Sequence, residues 1–265
     1  MSIIEEHFKL HRAPFPQCAE GTSVLQHQAL KEAHERLRFA IDRHGIAICT
    51  AECGCGKSTL LGCLQRDLDP TSYLVVYSSL TTLGPFGLLS SLVAKLGMRP
   101  RRFKGETAQD LIAHLRGSSK SVVLILDEAH AMPDESLEDL RLLTGDSLDK
   151  KSPFALVLAG QPLLRERLSE PQHYALSQRI TVRARLRPLT DSEAALFLDK
   201  HMRAAGATKN LFEPDAVTLL FQHSRGIPRM LQSLSLGALL AAANANKKLV
   251  DADCVQQAML EAEAP

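Results

Sequence analysis

Lys57 stands in A-E-C-G-C-G-K-S-T (51–59), behind a run of small residues and ahead of two hydroxyls. The stretch follows G-x-x-x-x-G-K-[ST], with Ala51 in place of the leading glycine. Glycines let the backbone approach a ligand closely, and successive N–H groups can then point at phosphate oxygens. A helix beginning there adds its positive end. The expected ligand is a nucleoside triphosphate. Cys53, Gly54, Cys55 and Gly56 would wrap the phosphates, Lys57 would reach the β- and γ-phosphates, and Thr59 would complete the loop. The Ser58 hydroxyl would bind Mg²⁺.

A second pair of groups completes the chemistry. S-V-V-L-I-L-D-E (121–128) is an apolar run ending in two carboxylates. Asp127 would hold the Mg²⁺ shell, and Glu128 would orient and polarise an attacking water. A small-molecule kinase must exclude water, so a second carboxylate aimed at water points to hydrolysis. ATP and Mg²⁺ are therefore the expected ligands, and ATP hydrolysis the expected reaction. Cys53 and Cys55 do not change this: C-x-C supplies too few ligands for a metal, and the six cysteines show no repeated ligand spacing. A thiol beside Lys57 is a redox liability first.

Elements must hold these groups in place. I-A-I-C-T (46–50), Y-L-V-V-Y (73–77), 121–128, F-A-L-V-L-A-G-Q (154–161) and R-I-T-V-R-A-R-L (179–186) read as strands. Helical spacing falls over 58–64, 85–97, 106–116 and 134–144, and P-L-L-R-E-R-L (162–168) opens another helix. This alternation predicts a parallel α/β sheet with helices on both faces. From R-P-L-T (187–190) onward every segment has helical period. Thr190-x-x-Glu193 is a capping box, and Pro214 fits a first helical position. The expected organisation is an α/β domain over 1–189 followed by a small all-helical lid over 190–265.

The whole chain has 265 residues, a net charge of +1 and 45% hydrophobic content, so it can bury a sizeable core and carries no global field for nucleic acid. Six cysteines without a framework suggest a reduced, cytoplasmic setting. The start M-S-I-I-E-E-H-F-K-L is too charged for a signal peptide, and no run of 18 apolar residues could span a bilayer. No membrane association is expected.

Taken together, these motifs and the helical C-terminal part resemble the AAA+ superfamily. H-F-x-L-x-x-x-P-F (7–15), H-Q-A-L-K-E-A-H-E-R-L (27–37), D-E-A-H (127–130), L-V-L-A-G-Q-P-L-L-R-E-R-L (156–168), Q-R-I (178–180) and R-G-I-P-R (225–229) are similar to the ExeA/TnsC-like group. That group contains ATP-dependent regulators of DNA transposition and a related secretion ATPase. The resemblance implies that Gln161 is a sensor between Glu128 and the γ-phosphate. It implies that Arg179 is an arginine finger reaching a neighbouring subunit's nucleotide, and that Arg229 is a second sensor in cis. Pro14, Phe15 and the helix from His27 line an adenine pocket on this resemblance, or pack structurally. It further implies a homo-oligomer, ring or filament, acting with a transposase and a target-selection protein.

K-L-G-M-R-P-R-R-F-K (95–104) carries five cations and no acid. Arg101, Arg102 and Lys104 are the candidate contacts to double-stranded DNA, against the alternative of a solvated loop. Arg183, Arg185 and Arg187 line one side of the last strand, where charge defends a sheet edge. Two other functions compete with DNA-dependent transposition regulation. Secretion-system relatives carry a membrane span and a wall-binding domain, and replication initiators or clamp loaders append a further domain after the lid. Neither feature is expected from these residues.

Overall fold

The computed structural model describes residues 2–15, 28–145 and 152–263. Its contacts divide into two compact units, one of residues 29–53 and 57–186, the other of the N-terminal segment, the turn 54–56 and residues from 187 onward.

The first unit is built on a five-stranded parallel sheet of β1 (Ile46–Ala51), β2 (Tyr73–Ser78), β3 (Ser121–Leu126), β4 (Ala155–Gly160) and β5 (Ile180–Leu186), in the order β2-β3-β4-β1-β5. Every residue of β1 and β4 is buried, and so is β3 after Ser121. Ile46, Ile48, Val122, Leu124, Leu126, Leu156 and Leu158 share one core with residues of α4 (Pro85–Lys95), α5 (Lys104–Gly117), α6 (Asp134–Thr144) and α8 (Tyr174–Arg179). The alternate residues Ala47, Cys49, Val123, Ile125 and Val157 are equally buried, so the second sheet face is covered too. Strands buried on both faces read as continuous apolar runs, which is why these were visible in sequence. Three further helices belong to this unit: α2 (Gln28–Asp42), α3 (Lys57–Asp67) and α7 (Leu163–Arg167). Leu124 is fully buried, and its truncation to Ala is expected to cost roughly 2–5 kcal/mol.

Several boundaries differ from the sequence expectation. β3 ends at Leu126, so Asp127 and Glu128 lie just beyond the strand, in a turn. Arg179 is the last residue of α8 and precedes β5; the regular apolar-polar alternation that follows it extended the apparent strand by one residue. α5 begins at Lys104 and α4 stops at Lys95. β5 has β1 as its one neighbour and forms an edge, with Arg183 and Arg185 exposed.

The second unit is helical: α1 (Ile3–Phe8), α9 (Asp191–Ala205), α10 (Pro214–Ser224), α11 (Pro228–Asn244) and α12 (Ala252–Glu263). Capping boxes at Ser2 and Thr190 start α1 and α9, and proline at the first turn starts α10 and α11. The N-terminal segment, assigned in sequence to the α/β part, packs instead in this core: Ile4, Leu10 and Phe15 are buried with Leu198, Met202 and Leu231. Phe15 stacks on Phe197 with ring centres 6.3 Å apart and lies 5.1 Å from His201. Its ring packs in this core, the structural alternative read from sequence. His27 lies outside the described residues.

Candidate nucleotide site

β1, β3 and β4 run parallel, so the residues after them share one edge of the sheet. Ligands in such sheets bind beyond the C-terminal ends of the strands. Lys57 opens α3 after β1, Asp127 and Glu128 follow β3, and Gln161 follows β4.

The Lys57 ammonium pairs with Asp127 Oδ1 and lies 2.5 Å from Glu128 Oε1. Burial works against its charge, but the hydrogen bonds and attraction from both carboxylates outweigh that and raise its pKa. Asp127 is buried and fully engaged. Tyr77 on β2 donates its hydroxyl to Oδ2 at 3.1 Å, and the Glu128 N–H donates to Oδ1 at 2.8 Å. Glu128 is more open, with a side chain 43% exposed. Its φ of 54° places a non-glycine residue in the left-handed region, where Thr81 Oγ1 donates to its carbonyl at 3.0 Å. Such strain concentrates at functional sites.

Beside Glu128 sits His130, on the short turn Ala129–Ala131. Its Nδ1 is 3.6 Å from Glu128 Oε2 and accepts the Gln161 N–H at 3.4 Å. Thus Gln161 meets the acidic turn through its backbone. Tyr77, Thr81 and His130 were not singled out as site residues in sequence, because what marks them is proximity across strands; D-E-A-H was the one local signal.

The glycine-rich turn suits a phosphate. Gly54 and Gly56 have φ of 83° and 92°, which only glycine adopts without strain. A Cβ on Gly54 would meet Ile227 Cγ2 at 2.9 Å and Arg229 Cβ at 3.0 Å. The Arg229 N–H donates to the Gly54 carbonyl at 3.3 Å, so the second-sensor candidate lies against the turn 54–56 of its own unit. Cys53, Ser58 and Thr59 are exposed, whereas Cys55 is buried. Behind the loop, burial pushes the Cys49 thiol up to about 12, with Lys57 pulling the other way.

The donor set also fits Mg²⁺. Among the described residues no group of three or more His, Cys, Asp or Glu is arranged for a metal. Mg²⁺ needs no such cage, since it is held by one or two carboxylates together with substrate phosphates and water. Ser58 and Asp127 match that demand.

The other candidates lie elsewhere. Arg179 is exposed, and its guanidinium donates to the Arg141 carbonyl at 2.8 Å. The basic segment is less available than its sequence suggested. Arg101 pairs with Asp110 at 2.6 Å, Lys104 with Asp139 at 2.6 Å, and Lys95 donates to the Tyr77 carbonyl. Arg102 is exposed, its guanidinium 5.6 Å from the centre of the Phe103 ring.

A parallel sheet of this order, with a phosphate loop after β1 and acids after β3, is the fold of the AAA+ ATPases. Residues 40–168 match the AAA domain family. Over 256 residues the chain is 31% identical to General secretion pathway protein A of Aeromonas hydrophila, covering 94% of this chain and 46% of that protein. The chain therefore spans less than half of that relative. Among solved structures it resembles Cdc6p from Pyrobaculum aerophilum, with TM-score 0.69, 18% identity and coverage of 97% of this chain and 70% of that one. It also resembles the Aeropyrum pernix ORC1 protein in complex with DNA, with TM-score 0.65, 19% identity and coverage of 89% and 64%. The Thermotoga maritima RuvB Holliday junction branch migration motor matches with TM-score 0.54, 20% identity and coverage of 89% and 69%. No helix among the described residues is long and apolar enough to cross a membrane.

Proposed function

We propose that this chain hydrolyses ATP as a homo-oligomer on double-stranded DNA, in the cytoplasm, and marks target DNA for a transposase and its target-selection partner. The observation that carries the ATPase reading is Lys57 held between Asp127 and Glu128 at the ligand edge of the sheet. Nucleotide binding would exchange the carboxylate partners of Lys57 for phosphate oxygens. That exchange releases Glu128, whose carboxylate takes a proton from water as the water oxygen attacks the γ-phosphorus and ADP leaves opposite. Gln161 would orient that water, and Arg229 would sense the phosphates from the helical part. Mg²⁺, held by Ser58 and Asp127, would supply positive charge against the phosphate oxygens. The two working parts would be the α/β part up to residue 189, without the N-terminal segment that packs in the helical core, and the helical part 190–265.

DNA as partner is supported by Arg102, by the ORC1 neighbour in complex with DNA, and by the RuvB neighbour, a Holliday junction branch migration motor. The transposase connection rests on the sequence resemblance. A secretion ATPase is a second reading, favoured by the 31% identity to General secretion pathway protein A. Measuring ATP turnover with and without duplex DNA tests the choice. Stimulation by duplex, lost in Lys57→Ala, supports the first reading. Turnover indifferent to duplex, with no retention of DNA, overturns it in favour of the second.

A further inference from the structure

Glu128 faces a problem once ATP is bound. Its ammonium partner leaves for the phosphates, and the carboxylate sits on a left-handed residue with its side chain 43% exposed. A freely rotating general base spends little time in reach of the water it must activate. Among the described residues the other ionisable neighbour of that carboxylate is His130, 3.6 Å from Oε2.

The surroundings of His130 are built to hold it still. Its side chain is 15% exposed and lies against Gly160 at the end of β4. A Cβ on Gly160 would meet the His130 backbone nitrogen at 3.0 Å and its Nδ1 at 3.3 Å, so a larger residue there would press the ring out of place. Arg167 on α7 donates to the His130 carbonyl at 2.7 Å and pairs through its other nitrogen with Asp134. Asp134 also accepts from the buried His173 at 3.0 Å. His173 immediately precedes α8, the helix that ends in Arg179. The turn carrying the two acids is thereby fastened to α7 through Arg167, which reaches on to Asp134, with His130 packed beside Gly160.

We propose that His130 is a positioning residue for Glu128: with its ring proton on Nδ1 it donates to the carboxylate when Lys57 moves to the phosphates and keeps it aimed at the attacking water. This rests on the ATP-hydrolysis reading of Glu128. The contact needs a closure of about 0.4 to 0.9 Å, from 3.6 Å to the 2.7–3.2 Å of a hydrogen bond. In this structure the same nitrogen accepts the Gln161 N–H at 3.4 Å, and the tautomer that donates to Glu128 gives that bond up.

The test compares His130→Ala, →Asn and →Gln in the full chain, with ATP turnover, affinity for a fluorescent ATP analogue and melting temperature measured together. An asparagine amide reaches the place of Nδ1, whereas a glutamine amide extends to that of Nε2. Expected is a kcat lowered about 10-fold to 10²-fold in His130→Ala, the range a misplacement of order 1 Å produces, with nucleotide affinity unchanged. Asn should restore most of the turnover and Gln should not. In a Glu128→Gln background, His130→Ala should add no further loss. Normal kcat in His130→Ala, equal behaviour of Asn and Gln, or full additivity with Glu128→Gln overturns the proposal. Should the Ala variant fail to fold, the contrast between Asn and Gln decides alone. Glu128→Gln run beside them separates the two ideas. Undiminished turnover there overturns both the hydrolytic reading and the role of His130, whereas its loss with a normal His130→Ala overturns the positioning role only.

Discussion

Arg179 and Lys57 stand at opposite ends of one strand. Ile180, next to Arg179, pairs with Ile46 at the start of β1, whereas Lys57 follows the end of β1. Six residues of strand separate the two edges, about 17 Å at 3.3 Å per residue. A guanidinium at the N-terminal edge cannot reach a phosphate held at the C-terminal edge of its own sheet. If Arg179 serves hydrolysis, it serves another copy's nucleotide.

Lys57→Ala should abolish nucleotide binding, because the phosphates lose their cation and Asp127 and Glu128 are left facing one another. Glu128→Gln should bind ATP normally yet turn it over at least about 10²-fold more slowly, the contribution of a positioned base. Equilibrium binding and phosphate release read the two effects separately. Normal turnover in Glu128→Gln would remove that carboxylate from the reaction.

Arg102→Glu should weaken duplex binding about equally across sequences and lower the salt slope by about one for the lost phosphate contact. Arg101→Glu is a poorer probe, since it also leaves Asp110 without its cation. Binding isotherms at several salt concentrations check this. An unchanged slope in Arg102→Glu would make the segment an ordinary solvated loop.

His201 gives the helical unit a pH signature. Its ring is 4.1 Å from Phe197 and donates Nδ1–H to the Phe197 carbonyl at 2.8 Å. Burial lowers its pKa below 6.5, the hydrogen bond opposing. Between that lowered value and 6.5 the unfolded chain carries a proton that the folded chain lacks, so stability rises with pH across the window and falls as pH drops below 6.5. Calorimetry should show a melting temperature that declines from pH 7 to 5, and declines less in His201→Gln. Identical slopes would assign the decline to other groups.

How much of this was legible in sequence follows from which interactions are local. The phosphate loop and the acids after β3 are fixed by covalent spacing, and β1, β3 and β4 stand out as unbroken apolar runs. Arg179 was misplaced onto a strand because α8 is six residues long and adjoins an alternating segment. The basic run looked free because Asp110 and Asp139, which neutralise two of its charges, are distant in sequence or on another helix. Likewise, nothing local tells that Ile4, Leu10 and Phe15 join the helical core. His130 lay inside a quoted motif, yet its place beside Glu128 and Gln161 depends on a left-handed turn and on Gly160 making room.

A shared active site is the central claim, and mixing two inactive variants tests it most directly. Arg179→Ala keeps an intact phosphate loop and should bind nucleotide near normally while losing hydrolysis; fingers of this kind contribute on the order of 10³–10⁵ in turnover. Lys57→Ala keeps an intact Arg179. Combined at fixed total protein with duplex DNA and ATP, the two should recover a measurable fraction of wild-type ATP turnover. A mixture that co-assembles on DNA and still releases no phosphate would contradict the claim.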